Sequence, residues 1–440
     1  MRQQMEHINF WLLMLLAFCL PLSTSAISAT ACLILLCWLV EGKFREKFQE
    51  IVRSPMCLAV LVYLGVLLIG LCWAESLTDG MAAITKQWKI LLLPIFLTTV
   101  RWQRRWWYVA AFIAGVTATM LVVSLDSANL LPVIEPSSQR ISFHTETIQL
   151  LYTPMLAFVI YLVLHQFFWG GRTGLQRWCL LIFSGVLIIH LFFARGRTGH
   201  VAFFVLLAVL IFQYYRKNVL KAYGLVAVLF PIVFFAAYQL SPVFQGRMAE
   251  IPQNIQVYNK NPETSVGQRL QYWKISWEII KQSPWIGVGT GDFSRAYIEM
   301  NNTISPGVST TNNPHNQYIF ATAQLGLLGL LSLLGLFVAH GYQAVRVRDG
   351  WERIRVAFPL FFMVIMCFES YLNLSGTGFL FSVMSAILCK NGPELPASAA
   401  GLHAKAISSR EGQAGGKAET KGSATTPFLA STPCTAAPEA

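Results

Sequence analysis

The chain has 440 residues, of which 55% are hydrophobic and only 12% charged, and its formal net charge is +12. Soluble domains carry about a quarter charged residues, so this composition excludes an ordinary soluble globule and points to a membrane protein. The positive excess is spread over short loops, as membrane topology requires, and gives no case for nucleic acid as a partner.

In chain order, apolar stretches lie at 8–21, 26–40, 55–73, 81–100, 106–125, 146–168, 176–193, 199–214, 220–238, 316–341, 356–372 and 374–390. Most match the length of a spanning helix. They predict an all-α, polytopic membrane protein with about 12 transmembrane helices. The first stretch lacks a small-residue cleavage site before the second and reads as an uncleaved anchor. Of the nine cysteines, eight lie in or beside apolar runs and Cys434 lies near the C-terminus, with no C-x-x-C spacing. They read as small buried hydrophobes rather than a disulfide or metal framework.

Five alternating loops are basic: EGKFREKFQEIVRS, RWQRR, GGRTGLQR, YRKNVLK and VRVRDGWERIR. Placing them in the cytoplasm puts both termini inside and leaves the intervening loops almost free of Lys and Arg. The exception is ARGRTGH, between the seventh and eighth stretches, which carries Arg195 and Arg197 on the external side. Two readings of this pair stand. The arginines snorkel to lipid headgroups, or they hold an anionic ligand at the outer membrane boundary.

Four regions follow: helices one to nine over 1–238, an external loop domain over 239–315, helices ten to twelve over 316–390, and a disordered cytoplasmic tail over 391–440. The tail is rich in Ala, Gly, Ser and Thr and cannot bury enough surface to fold. The insertion is long enough to be functional. Within it, Ser265 and Gln268 fit a capping box, predicting a helix near 266–282. Leu270, Trp273, Trp277 and Ile280 recur at helical spacing and predict an apolar face that lies along the membrane or roofs the bundle. GVGTG lacks the strand–turn–helix context and the Lys-Ser/Thr of a phosphate loop, and reads as a turn.

Arg269 lies in the first turns of that helix, where a guanidinium adds a forked donor suited to phosphate; the alternative is a solvated surface arginine. At the end of the insertion, Asn313 and Pro314 read as the N-cap and first residue of the next span. That puts His315 in its first turn, where the helix dipole favours a neutral imidazole able to accept a proton. A structural or capping histidine is the alternative. Arginines gathered beside a neutral base are what a metal-free reaction on a diphosphate-activated substrate needs. The four aspartates, 79, 126, 292 and 349, include no Asp-x-Asp pair, and Asp292 and Glu299 lack cation-ligand spacing. Lys86 and Lys89, on one face of the fourth stretch, either extend the positive site or snorkel outward. Glu369 and His190 suggest no transport pathway, and no broken spans or inverted repeat are visible.

At these residues the chain resembles the O-antigen ligase and polymerase superfamily of bacterial envelope glycosyltransferases, over about residues 8–390. ARGRTGH resembles the family's Ser-Arg-x-Gly joint and carries its functional arginine onto Arg197; the lead-in differs at Arg195. GQRLQYW resembles the Gly-x-Arg start of the loop helix and points to Arg269. NNPHNQY resembles the histidine motif that opens the next span and points to His315. The resemblance implies a helical, inner-membrane glycosyltransferase with a periplasmic loop domain and its active site facing the periplasm. His315 would be catalytic, with Arg197, Arg269 and Arg195 on the donor diphosphate, and no metal or cofactor. The implied donor is a glycan on undecaprenyl diphosphate, transferred with inversion.

Members differ in acceptor. A ligase uses lipid A–core oligosaccharide, a polymerase another lipid-linked unit, and a protein O-oligosaccharyltransferase Ser or Thr. The single large loop before the His-bearing span favours the ligase. Readings from other classes are an anionic-lipid transporter or flippase, and a non-enzymatic assembly partner. Arg140, Arg247 and Arg295 have no role assigned by sequence.

Overall fold

The computed structural model of the protein describes residues 2–128, 130, 146–258 and 261–392. Arg140, Cys434 and the expected tail from residue 393 onward lie outside the described residues. The helices in the first half are α1 (Arg2–Cys19), α2 (Thr24–Glu41), α3 (Phe44–Arg53), α4 (Pro55–Ile69), α5 (Leu77–Thr85), α6 (Trp88–Leu91), α7 (Leu93–Thr99), α8 (Arg105–Ser127) and α9 (Glu146–Trp169). The second half adds α10 (Gly174–Phe193), α11 (Arg197–Tyr214), α12 (Val219–Leu240), α13 (Pro242–Val257), α14 (Ser265–Gln282), α15 (Phe293–Ile304), α16 (Gln317–Arg346), α17 (Glu352–Ile365) and α18 (Ser375–Cys389). No strand occurs among the described residues.

Several starts follow from local chemistry. The Ser54 and Ser241 hydroxyls accept from backbone N–H groups three residues on, and Pro55 and Pro242 occupy the first helical positions. Eight helices among the described residues are long and apolar enough to cross a membrane, or nine if the bent α5 to α7 pair counts as one. The chain is a polytopic helical membrane protein. Each of the twelve expected stretches contains helix, but α17 ends at Ile365, inside the stretch 356–372. α17 and α18, with 14 and 15 residues, are shorter than a full span, so eight or nine candidate spans stand among the described residues where twelve were expected. The fourth stretch, expected as one helix, bends by 47° between Thr85 and Trp88. Lys86 and Lys89 therefore do not share a helical face. Lys86 is exposed, whereas Lys89 is buried and donates to the carbonyls of Lys86 and Asn373 at 2.5 and 2.8 Å.

The bundle centres on α9, whose Phe158 ring packs against Phe112, Phe358 and Phe361. At the end remote from the insertion, Asp349 joins two buried guanidiniums. Its carboxylate meets Arg105 at 2.7 Å and Arg355 at 2.9 Å.

The insertion has its own small core of Tyr272, Ile275, Ile279, Ile280, Phe293 and Tyr297, closed against Ala323 of α16. The residues of the expected apolar face of α14 fall in different environments. Ile280 is buried, but Trp277 is exposed and Leu270 and Trp273 are only half-buried. The cap also moves by one residue: the Thr264 hydroxyl accepts from Gly267, and Gln268 donates to the Glu263 carboxylate. The GVGTG segment is a turn, as expected, and it also repairs a break. α16 departs from helical geometry at Gly326. The freed Leu327 N–H donates to Pro284, while Val288 and Gly289 donate to the carbonyls of Ala323 and Gln324. The expectation of unbroken spans is thus corrected at two places.

Candidate functional site

Arg197 is the first residue of α11, and its guanidinium donates to the Ser265 hydroxyl at the start of α14. The joint is tight: Gly196 and Gly199 lie against Thr153 of α9, where a Cβ would clash. Ser265, Arg269 and Trp273 follow at four-residue intervals and share one face of α14. The Trp273 indole N–H donates to the Pro314 carbonyl at 3.0 Å, and the Tyr272 ring stacks on His315 at 5.8 Å between centroids. One helix therefore links the Arg197 joint to the His315 segment over about 12 Å of axis, with Arg269 midway.

His315 does not lie in the first turn of its span. Asn316 caps α16, its side-chain oxygen accepting from Tyr318 and Ile319, and the helix begins at Gln317. His315 precedes the helix at φ +53°, a left-handed conformation uncommon for a side chain of this size. Asn313 helps hold it there by accepting from the His315 backbone N–H at 3.0 Å. The Asn313–Pro314 start expected from sequence is thus displaced by three residues, and Asn313 serves the site instead of the helix.

The partner of His315 was not recognised in the sequence. α17 ends at Ile365, and the connection to α18 brings Glu369 beneath the ring. His315 Nδ1 lies 2.5 Å from Glu369 Oε2. Glu369 Oε1 accepts from Asn313 Nδ2 at 2.6 Å and from the Ser370 backbone N–H at 2.8 Å. Burial pushes the Glu369 carboxyl up, but the hydrogen bonds from His315, Ser370 and Asn313 outweigh it and hold the group below the usual carboxylate range. The His315 side chain is 34% exposed while that of Glu369 is 2% exposed, so the imidazole is the accessible half of the pair. Its Nε2 has no partner among the described residues. Such a ring can accept a proton on the open side.

The same connection carries Tyr371, which donates to the Leu150 carbonyl at 3.1 Å and lies close enough to Arg269 to feel its charge. Arg269 is half-buried, with no ion pair or hydrogen bond among the described residues. Arg195 is placed differently: its side chain is exposed, and its carbonyl accepts from Arg247. Arg247 also pairs with Glu250, and Arg295 pairs with Glu75, so both have structural partners. Asp292 accepts from the backbone N–H groups of Glu75 and Ser76. No cluster of three or more His, Cys, Asp or Glu side chains suited to a metal occurs among the described residues.

These features define a class: a helical membrane protein with cationic side chains and an oriented histidine at the bundle end that carries the insertion. Residues 180–334 match the family model described as O-Antigen ligase, a segment holding Arg195, Arg197, Arg269 and His315, and over that segment the chain is similar to the O-antigen ligase superfamily. Glu369 lies outside the matched segment. No curated protein matches the chain.

Proposed function

We propose that the protein is an O-antigen ligase of the bacterial inner membrane, acting at its periplasmic face. It transfers a glycan from undecaprenyl diphosphate to lipid A–core oligosaccharide. The observation that carries this reading is the run of contacts along α14, which gathers Arg197, Arg269 and His315 at one end of the bundle. Arg197 and Arg269 bind the donor diphosphate, and the exposed Arg195 meets it as it approaches. Two forked cations offset the charge that grows on the leaving diphosphate.

The acceptor hydroxyl attacks the anomeric carbon from the face opposite the diphosphate. The new C–O bond forms as the bond to the diphosphate oxygen breaks, which inverts the anomeric centre. The hydroxyl proton passes to Nε2 of His315, and undecaprenyl diphosphate departs. No metal ligand set is required, because the diphosphate supplies the leaving group and the arginines its counter-charge.

The test is purified protein in nanodiscs with undecaprenyl-diphosphate-linked glycan and lipid A–core. Glycan should appear on lipid A–core without nucleotide, and His315→Ala should abolish transfer while donor binding persists. Extension of the lipid-linked glycan alone would make the protein a polymerase. Movement of the carrier across the bilayer without transfer would make it a transporter.

A further inference from the structure

We propose that Glu369 is the positioning residue of His315. Its carboxylate fixes the ring tautomer that leaves Nε2 open for the acceptor proton, and it neutralises the imidazolium formed when that proton arrives. This rests on the reading of His315 as the base and adds a residue outside the matched family segment.

The geometry specifies the tautomer. An ionised carboxylate only accepts, so the 2.5 Å contact requires the proton on His315 Nδ1. The Nε2 lone pair then lies on the other side of the ring. When the acceptor hydroxyl gives its proton to Nε2, the ring becomes cationic with the Glu369 charge already in contact. Proton loss to water from Nε2 restores the starting state, and Nδ1 keeps its proton throughout.

The carboxylate is itself held. Its Oε1 takes two donors, from Asn313 and Ser370, and Asn313 Oδ1 in turn accepts from the Ser370 hydroxyl and the His315 backbone N–H. The group has little freedom to turn toward solvent. Tyr272 from α14 stacks on the ring, and Tyr371 of the same connection lies within charge range of Glu369 and Arg269. Among the described residues, only Glu369 is hydrogen-bonded to a ring nitrogen.

A purely structural Glu369 would tie the α17–α18 connection to the 313–316 segment and do no more. Glu369→Gln separates the two roles. Its amide oxygen preserves the bonds from Asn313 and Ser370, while its NH2 group donates to Nδ1 and forces the opposite tautomer.

The experiment compares wild type, E369Q, E369D and H315A in nanodiscs. The readouts are transfer against pH, binding of glycan-free undecaprenyl diphosphate, and 15N shifts of the His315 ring assigned by difference from His315→Asn. E369Q should lower kcat by roughly 10²–10⁴-fold, the scale of a wrong-tautomer histidine. Carrier binding should remain within about 3-fold, a change smaller than 1 kcal/mol. The proton should move to Nε2, which the 15N shifts report directly.

E369D should keep the Nδ1 proton with a reduced kcat, which gives a readout even if E369Q does not fold. Near-normal kcat in E369Q, an unchanged tautomer in folded E369Q, or an Nε2 proton in E369D overturns the proposal. Activity in H315A instead overturns the assignment of the base, whatever Glu369 does.

Discussion

Gly326 and Gly287 lie where two backbones cross, the first at the break in α16 and the second in the loop turn that fills it. A Cβ on Gly326 would collide with the Trp285 carbonyl carbon, and one on Gly287 would collide with the carbonyl carbon of Gln324. Both residues have positive φ, +59° and +69°. The fit holds the insertion on the span that begins directly after His315. Gly326→Ala should therefore lower stability by more than the roughly 1–2 kcal/mol of the left-handed backbone alone, because the clash adds to it. A thermal-unfolding midpoint in detergent equal to that of wild type would refute this packing.

Arg269 stands one helical turn from Ser265 and one from Trp273, on the face that links the two halves of the site. Arg269→Lys keeps the charge and loses the planar fork. It should weaken binding of undecaprenyl diphosphate by about tenfold or more, close to the effect of Arg269→Ala. Ser265→Ala removes one acceptor of Arg197, and should cost about 1 kcal/mol of binding. Equal affinities in wild type and Arg269→Lys would show that a point charge suffices.

The candidate residues stand out in the sequence for different reasons. Arg197 violates the charge alternation of the loops, Arg269 falls near an expected helix start, and His315 precedes a span, one residue before its Asn316 cap. Glu369 was not legible. It lies within the apolar stretch 356–372, where a lone carboxylate reads as a mid-membrane oddity. Its meaning depends on α17 ending at Ile365, after which CFESYLNLSG turns back toward the insertion. The polar residues of that segment, Glu369, Ser370, Asn373 and Ser375, were the available signal. The insertion's own core was not legible for a related reason: its contacts select Tyr272, Ile275 and Ile279, beside the Trp-bearing face that the spacing picks out.

Lys89 connects the bend in the fourth stretch to the Glu369 connection. Its ammonium donates to Asn373, four residues from Glu369, and Gln87 Nε2 donates to the Asn373 side chain at 2.8 Å. Gly378 leaves room for the Lys89 stem, since a Cβ there would lie 2.6 Å from Lys89 side-chain carbons. Lys89→Met should leave the partly buried carbonyls of Lys86 and Asn373 short of a donor, at about 1 kcal/mol each. Transfer should fall with stability as the connection loosens. Lys89→Arg should not rescue it, because the wider guanidinium has no matching space. Unchanged unfolding of Lys89→Met would mean that the bend does not depend on this cation.

Asp349 gives a stability test at the far end of the bundle, independent of the site. Burial pushes its carboxyl up, but Arg355 and Arg105 outweigh that and hold it below the ordinary range. A carboxyl depressed on folding adds stability that is fully present above its unfolded pKa of about 3.9. That contribution is lost as pH falls through the lower folded value. Asp349→Asn removes the charge between two guanidiniums that are 3% and 0% exposed, and should cost about 3–5 kcal/mol at neutral pH. The gap between wild type and Asp349→Asn should stay constant from pH ~8 to pH ~5 and narrow only below pH ~4. Unfolding midpoints in detergent across that range provide the check. Narrowing near pH 6 or 7 would assign the difference to another group, because Asp349 stays ionised there.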